Sequence, residues 1–300
     1  MILWRPLLRE ARSVKENDLC HVSITRCAEL LIRDLGITSL PVCPFSIAQA
    51  LDIAVKALPS DSQGVSGILL RHDNQYGILY STWLENDGFQ RFSVAHELGH
   101  YSLPGHPDSV PSGHASNAGF VSKDKYELEA DYFAASLLMP RDLFKAAMNK
   151  AGVGLEAIEK LTGQCNTSLT ATAIRYAKYT QDAVAVIMST GSEIDYCFMS
   201  DCLKEIQGLT WPGKSSSVPR NTATHAFNND PGNITSAKRR DGRTSLQLWF
   251  GGNIEVNMLE EVVGMGRYGK TLTVLSTERL PDQEELEEEE KLIESWTPRF

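Results

Sequence analysis

His96 and His100 stand four residues apart with Glu97 beside the first, in the run Arg91-Phe92-Ser93-Val94-Ala95-His96-Glu97-Leu98-Gly99-His100. Residues four apart on an α-helix lie one above the other on one face, so two imidazoles at this spacing can aim nitrogens at a single metal ion. The HExxH pattern is that of zinc hydrolases, in which the histidines are ligands and the glutamate is the general base for a metal-bound water. Neutral imidazoles leave the ion its positive charge, which lowers the pKa of that water to about 7. A neighbouring carboxylate can take the proton and pass it to a leaving amine. Phe92, Val94, Ala95 and Leu98 give the stretch apolar faces, so a buried helix is expected.

A tetrahedral catalytic zinc takes a third protein ligand and keeps one position open. Two residues are candidates. Glu127 lies in Tyr126-Glu127-Leu128-Glu129-Ala130-Asp131, which opens a segment where Leu128, Phe133, Ala134, Leu137 and Leu138 recur at helical spacing. Glu127 and Asp131 are four apart, so one carboxylate can bind the metal while the other accepts a hydrogen bond from the far nitrogen of a ligand histidine. His106 is the alternative, at the position where another class of zinc protease places a third histidine. That class uses Gly three residues after the second histidine, where this chain has Leu103, although Pro104-Gly105 can still bend the chain. The pairing of ligand with orienting carboxylate is complete only for Glu127.

RFSVAHELGH, followed by ELEADYFAASLLMP, resembles the ImmA/IrrE family of bacterial metallopeptidases, whose members typically read RF-x-x-AHELGH and E-x-EAN-x-FA-x-x-LLMP. The resemblance extends over Val65-Ser66-Gly67-Ile68-Leu69-Leu70 and runs from about residue 25 to residue 180. It implies a zincin-like fold with His96, His100 and Glu127 as ligands, a gluzincin-like set, and Glu97 as catalytic base. Asp131 stands where the family more often has Asn, a change that keeps a hydrogen-bond acceptor. The resemblance further implies a narrow-specificity endopeptidase that cleaves a DNA-binding transcriptional repressor, often encoded nearby, and so switches on a stress or mobile-element response. Zn2+ is the expected ion, with Mn2+ the alternative that the same ligands accept.

The elements that would position these residues are expected to form an α+β chain. Residues 1–22 read as an arm. Residues 23–140 read as the metallopeptidase domain, helices plus a small antiparallel sheet: a helix from Ser23 to Leu35, a short one after Pro44, and strands at Ile53–Leu58, Gly67–Leu70 and Tyr76–Tyr80. A strand edge beside the HELGH helix would allow an extended peptide to add itself as a further strand. The stretch from Pro104 to Lys123 reads as a polar connection bordering the cleft, with Tyr101, His106 and His114 as candidates to stabilise an oxyanion. Residues 141–180 read as helices in a helix-turn-helix-like arrangement, with the turn at Thr162-Gly163 and with Arg175 and Lys178 presented by the second helix. Residues 181–280 read as a smaller α+β or β domain, with a hairpin at 183–199, a mobile loop at 207–244 carrying Lys238, Arg239, Arg240 and Arg243, and strands at Leu246–Phe250, Val256–Val263 and Lys270–Ser276.

Residues 281–300 form an acidic tail in which Asp282, Glu284, Glu285 and Glu287 to Glu290 carry seven of the negative charges. Without them the net charge of −9 becomes −2, which leaves no electrostatic footprint for strong nucleic-acid binding. The six cysteines (Cys20, Cys27, Cys43, Cys165, Cys197 and Cys202) form no CxxC pair and read as thiols rather than as a disulfide framework or second metal site. No apolar run reaches the ~18 residues that span a bilayer, and the start does not read as a signal peptide, so the cytoplasm is the expected compartment. Two rival functions use the same residues differently: a non-proteolytic metal-binding sensor or interaction module, and a DNA-binding regulator working through residues 155–179.

Overall fold

A computed structural model describes residues 21–59, 64–83, 86–109, 113–116, 124–252 and 256–277. Nearly all of the expected arm and the whole acidic tail lie outside these residues. The chain forms two compact units, Met1–Ala151 with Glu159–Thr172, and Gly152–Ile158 with Ala173–Phe300. Both mix helices and strands, so the chain is α+β.

In the first unit, α1 (His21–Asp34) buries Ile24, Ala28, Leu31 and Ile32, the stripe that its apolar spacing dictates. It ends where Gly36 turns at positive φ. Pro44 starts α2 (Pro44–Ala50), where its missing N–H is harmless. Four strands follow: β1 (Ala54–Ala57), β2 (Gly67–His72), β3 (Gln75–Tyr80) and the two-residue β4 (Ala115–Ser116), in the order β1-β3-β2-β4. β1 runs parallel to β3, and the other pairs are antiparallel. The β2–β3 turn is tighter than the sequence suggests: His72 pairs with Gln75, leaving Asp73 and Asn74 as the loop, with Asp73 at positive φ.

α3 (Asp87–Ser102) packs on β2 and β3 on one side and on α5 (Lys125–Leu138) on another, while α5 also packs on α1. Ile24, Leu31, Ile47, Ile78, Val94, Leu98, Phe133 and Leu137 are the centre of this core. Asn86 caps α3 by accepting from the Phe89 N–H at 3.0 Å. Arg91 anchors the same end of the helix, donating to the carbonyls of Val42 and Asn166. Between α3 and α5 the connection is not wholly irregular, since it holds the short helix α4 (His106–Ser109) as well as β4. α6 (Arg141–Ala151) follows α5.

The next two helices are α7 (Gly154–Cys165) and α8 (Leu169–Tyr179). The turn expected at Thr162-Gly163 is in fact inside α7. The break comes at Asn166, which adopts positive φ, and Ser168 then caps α8 by accepting from the Ala171 N–H. A single helical glycine costs only about 1 kcal/mol relative to alanine, too little to stop a packed helix.

The second unit is built on an antiparallel sheet ordered β6-β5-β9-β8-β7: β5 (Ala183–Thr190), β6 (Glu193–Met199), β7 (Arg239–Ser245), β8 (Asn257–Gly264) and β9 (Thr271–Thr277), with the short helix α9 (Asp201–Lys204) directly after β6. Two expectations fail here. The stretch expected to be a loop over 207–244 contains α10 (Ala223–Asn228), α11 (Pro231–Thr235) and most of β7. Thr222 and Asp230 cap the two helices. The buried Glu260 carboxylate accepts from the Ala223 N–H, the Thr224 N–H and the Thr224 hydroxyl, so a residue of β8 holds α10 in place. The second failure is Leu246–Phe250, which is the helix α12, capped by Ser245. Its buried residues Leu246, Trp249 and Phe250 have helical spacing, a period that a five-residue apolar run does not betray.

Candidate metal centre

α3 supplies His96, Glu97 and His100, and the first turn of α5 supplies Glu127. Asp124 caps α5 by accepting from the Tyr126 and Glu127 N–H groups, which fixes where the Glu127 side chain leaves the helix. The two helices approach closely because Gly99 has no side chain: a Cβ there would stand 3.0 Å from the Ala130 Cα and 3.3 Å from its Cβ. This glycine, the fourth residue of HELGH, therefore sets the depth at which Glu127 and Asp131 meet the histidines.

His96 Nε2 lies 3.1 Å from His100 Nε2 and 3.5 Å from Glu127 Oε2, and His100 Nε2 lies 3.2 Å from Glu127 Oε1. A tetrahedral ion with bonds of about 2.0–2.1 Å holds its ligand atoms roughly 3.3 Å apart. The three donors thus have the mutual spacing such an ion imposes, and this buried set could hold a metal ion. The outer nitrogens support the same orientation. His96 Nδ1 is 2.8 Å from Asp131 Oδ1, a carboxylate that only accepts, so Nδ1 carries a hydrogen and, in the neutral ring, Nε2 is left with the lone pair.

The charges around His96 call for a cation. Burial alone would lower its pKa, but hydrogen bonds that its ring donates to Asp131 and Glu127 and the nearby charge of Glu97 raise it to about 9. Burial likewise opposes ionisation of Glu127, yet its hydrogen bonds with His100 and His96 outweigh that and hold the carboxyl well below the usual range. His100 is pushed down, by burial first and by its proximity to His96, against the pull of Glu127.

Glu97 differs from these residues. It is buried, and among the described residues neither carboxylate oxygen has a hydrogen-bond partner. Burial drives its pKa up to about 7, and His96 together with the flanking Ser116 hydroxyl and Leu69 amide reduces the effect without forming well-aligned hydrogen bonds. β2 passes directly over this side chain. A Cβ on Gly67 would lie 2.6 Å from Glu97 Oε1 and 2.9 Å from its Cγ, so only glycine lets the strand run there. Gly67 pairs with Ser116 of β4, which puts both residues beside the glutamate.

The three oxyanion candidates are separated by the fold. Tyr101 packs edge-on against Tyr76, with ring centroids 4.9 Å apart. His106 is buried behind His100, with its Nδ1 3.1 Å from His100 Nδ1 and its Nε2 2.8 Å from Glu129 Oε2. It faces the outer nitrogen of a histidine, so it does not share the site of the three converging donors. His114, about half exposed, brings Nε2 to 3.6 Å from Glu127 Oε1 and borders the site. Sequence reasoning had no grip on Glu129 or Ser116. Glu129 follows Glu127 by two positions, which on a helix is nearly the opposite face, and its partner His106 opens the four-residue helix α4, too short to show a period in the sequence.

Residues 48–175 match the family model described as Peptidase_M78, IrrE N-terminal-like domain. A search of curated proteins finds no match. Among solved structures, a Mycobacterium tuberculosis transcriptional regulator aligns with a TM-score of 0.51 at 13% identity, over 84% of this chain and 74% of that one. At such identity the likeness is one of fold. The family match covers the HExxH helix and Glu127, agrees with the ImmA/IrrE resemblance and carries the α+β, zincin-like architecture with it. Residues 48–175 are therefore an IrrE N-terminal-like domain of the Peptidase_M78 family.

Proposed function

We propose that this chain is a zinc-dependent endopeptidase in which His96, His100 and Glu127 hold the ion and Glu97 is the general base. One observation supports this above the others: the three donor atoms converge at tetrahedral spacing beside a buried carboxylate that has no hydrogen-bond partner among the described residues. Zn2+, or Mn2+ in its place, would supply Lewis acidity that polarises a scissile carbonyl and acidifies water. Glu97 accepts the proton at one of its carboxylate oxygens and returns it to the leaving amine. Asp131 orients His96. His114, at the border of the site, is placed to donate to the oxyanion as charge develops on the carbonyl oxygen.

The substrate class follows from the family resemblance: a helix-turn-helix transcriptional repressor, cleaved at few sites, with a stress response as the output and the cytoplasm as the compartment. No helix among the described residues is long and apolar enough to cross a membrane. Direct DNA reading by α8 finds little support, because Arg175 is buried and its guanidinium lies over the Tyr179 ring at 4.7 Å. A metal sensor without catalysis would have no use for the unpartnered Glu97 carboxylate.

The test is metal content together with cleavage of a co-encoded repressor by wild type, Glu97→Gln and Glu127→Ala. The proposal expects Glu97→Gln to keep its metal and lose cleavage, and Glu127→Ala to lose both. Wild type that holds metal but leaves every such repressor intact would move the sensor reading ahead.

A further inference from the structure

His100 and His96 are backed differently. His96 meets the Asp131 carboxylate directly, whereas His100 meets a second imidazole, His106, which in turn meets Glu129. The three side chains behind the site, Asp131, His106 and Glu129, are buried, and the Tyr126 ring packs edge-on against His106 with centroids 5.0 Å apart. His106 is brought back under the helix by Gly105, whose positive φ of 83° turns the chain.

The hydrogens along this chain can be assigned from one end. Ionised Glu129 can only accept, so the 2.8 Å contact requires a hydrogen on His106 Nε2. In the neutral ring His106 Nδ1 then has a lone pair and no hydrogen, and the 3.1 Å contact with His100 Nδ1 requires the hydrogen to sit on His100. In the neutral ring this leaves the lone pair on His100 Nε2, which can stand 3.2 Å from Glu127 Oε1 with a cation between them; without one, Glu127 is met by a second hydrogen on His100. We propose that Glu129 and His106 are positioning residues, a relay that fixes His100 as the Nδ1–H tautomer and so presents its Nε2 to the metal. The relay rests on the metal-site reading above for its purpose; the hydrogen on His100 Nδ1 follows from the Glu129 end without any ion, whereas a bare Nε2 facing Glu127 requires one. It explains why a histidine in the loop after HELGH is buried without joining the donor set, and why α5 carries a second buried glutamate two positions after Glu127.

Two measurements on the full chain test it. Long-range 1H–15N spectra of the metal-free wild type should show His100 protonated at Nδ1 and His106 at Nε2; a hydrogen on His100 Nε2 with Nδ1 bare would overturn the relay. The second is the zinc Kd by chelator competition. His106→Leu and Glu129→Leu should weaken zinc binding by about 10–100-fold, the usual effect of removing a partner behind a ligand. His106→Gln, whose amide both accepts from His100 and donates to Glu129, should stay within a few-fold of wild type, as should Glu129→Gln, whose oxygen still accepts. Folded Leu variants with the wild-type Kd, or a His106→Gln protein as weak as His106→Leu, would refute it. If wild type bound no zinc, the metal reading would fail, and the spectra would still decide the tautomer.

Discussion

Replacing Glu97 by glutamine should stabilise the metal-free protein at high pH and not at low pH. The folded carboxyl titrates at about 7 against its ordinary 4.5, because it is buried with no hydrogen-bond partner on either oxygen. A difference of roughly 2.5 units corresponds to about 3 kcal/mol. For an acid whose folded pKa is raised, nothing is lost below about pH 4.5, where it is protonated in both states; the penalty grows from there to pH 7 and is complete above it. Glutamine never ionises. Its buried amide costs about 1–3 kcal/mol of its own, but that offset is the same at every pH. The informative quantity is therefore the change in the variant-minus-wild-type difference between pH 4.5 and pH 8, expected to be about 3 kcal/mol in favour of the variant. Hydrogen exchange of α3 amides in metal-stripped protein reads this locally, without assuming that both units unfold together. A pH-independent difference would refute the argument that burial without compensation holds the Glu97 pKa up. Adding zinc should shrink the pH dependence, since a nearby cation favours the carboxylate.

Gly67→Ala places a Cβ 2.6 Å from Glu97 Oε1, so the carboxylate must retreat by about 0.8 Å to reach ordinary contact; metal content should be retained while cleavage falls about 10²-fold. Gly99→Ala pushes α3 from α5 at Ala130 and should cost about 1–3 kcal/mol by denaturant unfolding while also weakening metal binding. Glu260→Leu leaves the Ala223 and Thr224 N–H groups without their acceptor, while the Thr224 hydroxyl keeps Thr273, and should cost about 2 kcal/mol or more, seen as lost exchange protection of α10 and β8, with metal content unchanged.

The sequence alone contained what obeys local periodicity. Four-residue spacing put His96 over His100 and Glu127 over Asp131, and apolar stripes marked the helices that carry them, because helical geometry repeats regardless of what surrounds it. The β5–β6 hairpin, β8 and β9 were legible for the same reason. The tertiary structure decided whatever depends on residues distant in the chain. Gly67 and Gly99 look like ordinary glycines until β2 is laid over Glu97 and α5 over α3. His106 was an alternative ligand by spacing, and became the backing of His100 only once Glu129 arrived from another helix. The helices and strand within 207–245 were hidden because Glu260, far along the chain, completes the cap of α10, and an edge strand rich in arginine carries no alternating apolar signal. Local spacing can place a ligand on a face, but the orientation of its lone pair is set by whichever acceptor is packed behind it, and packing is not periodic.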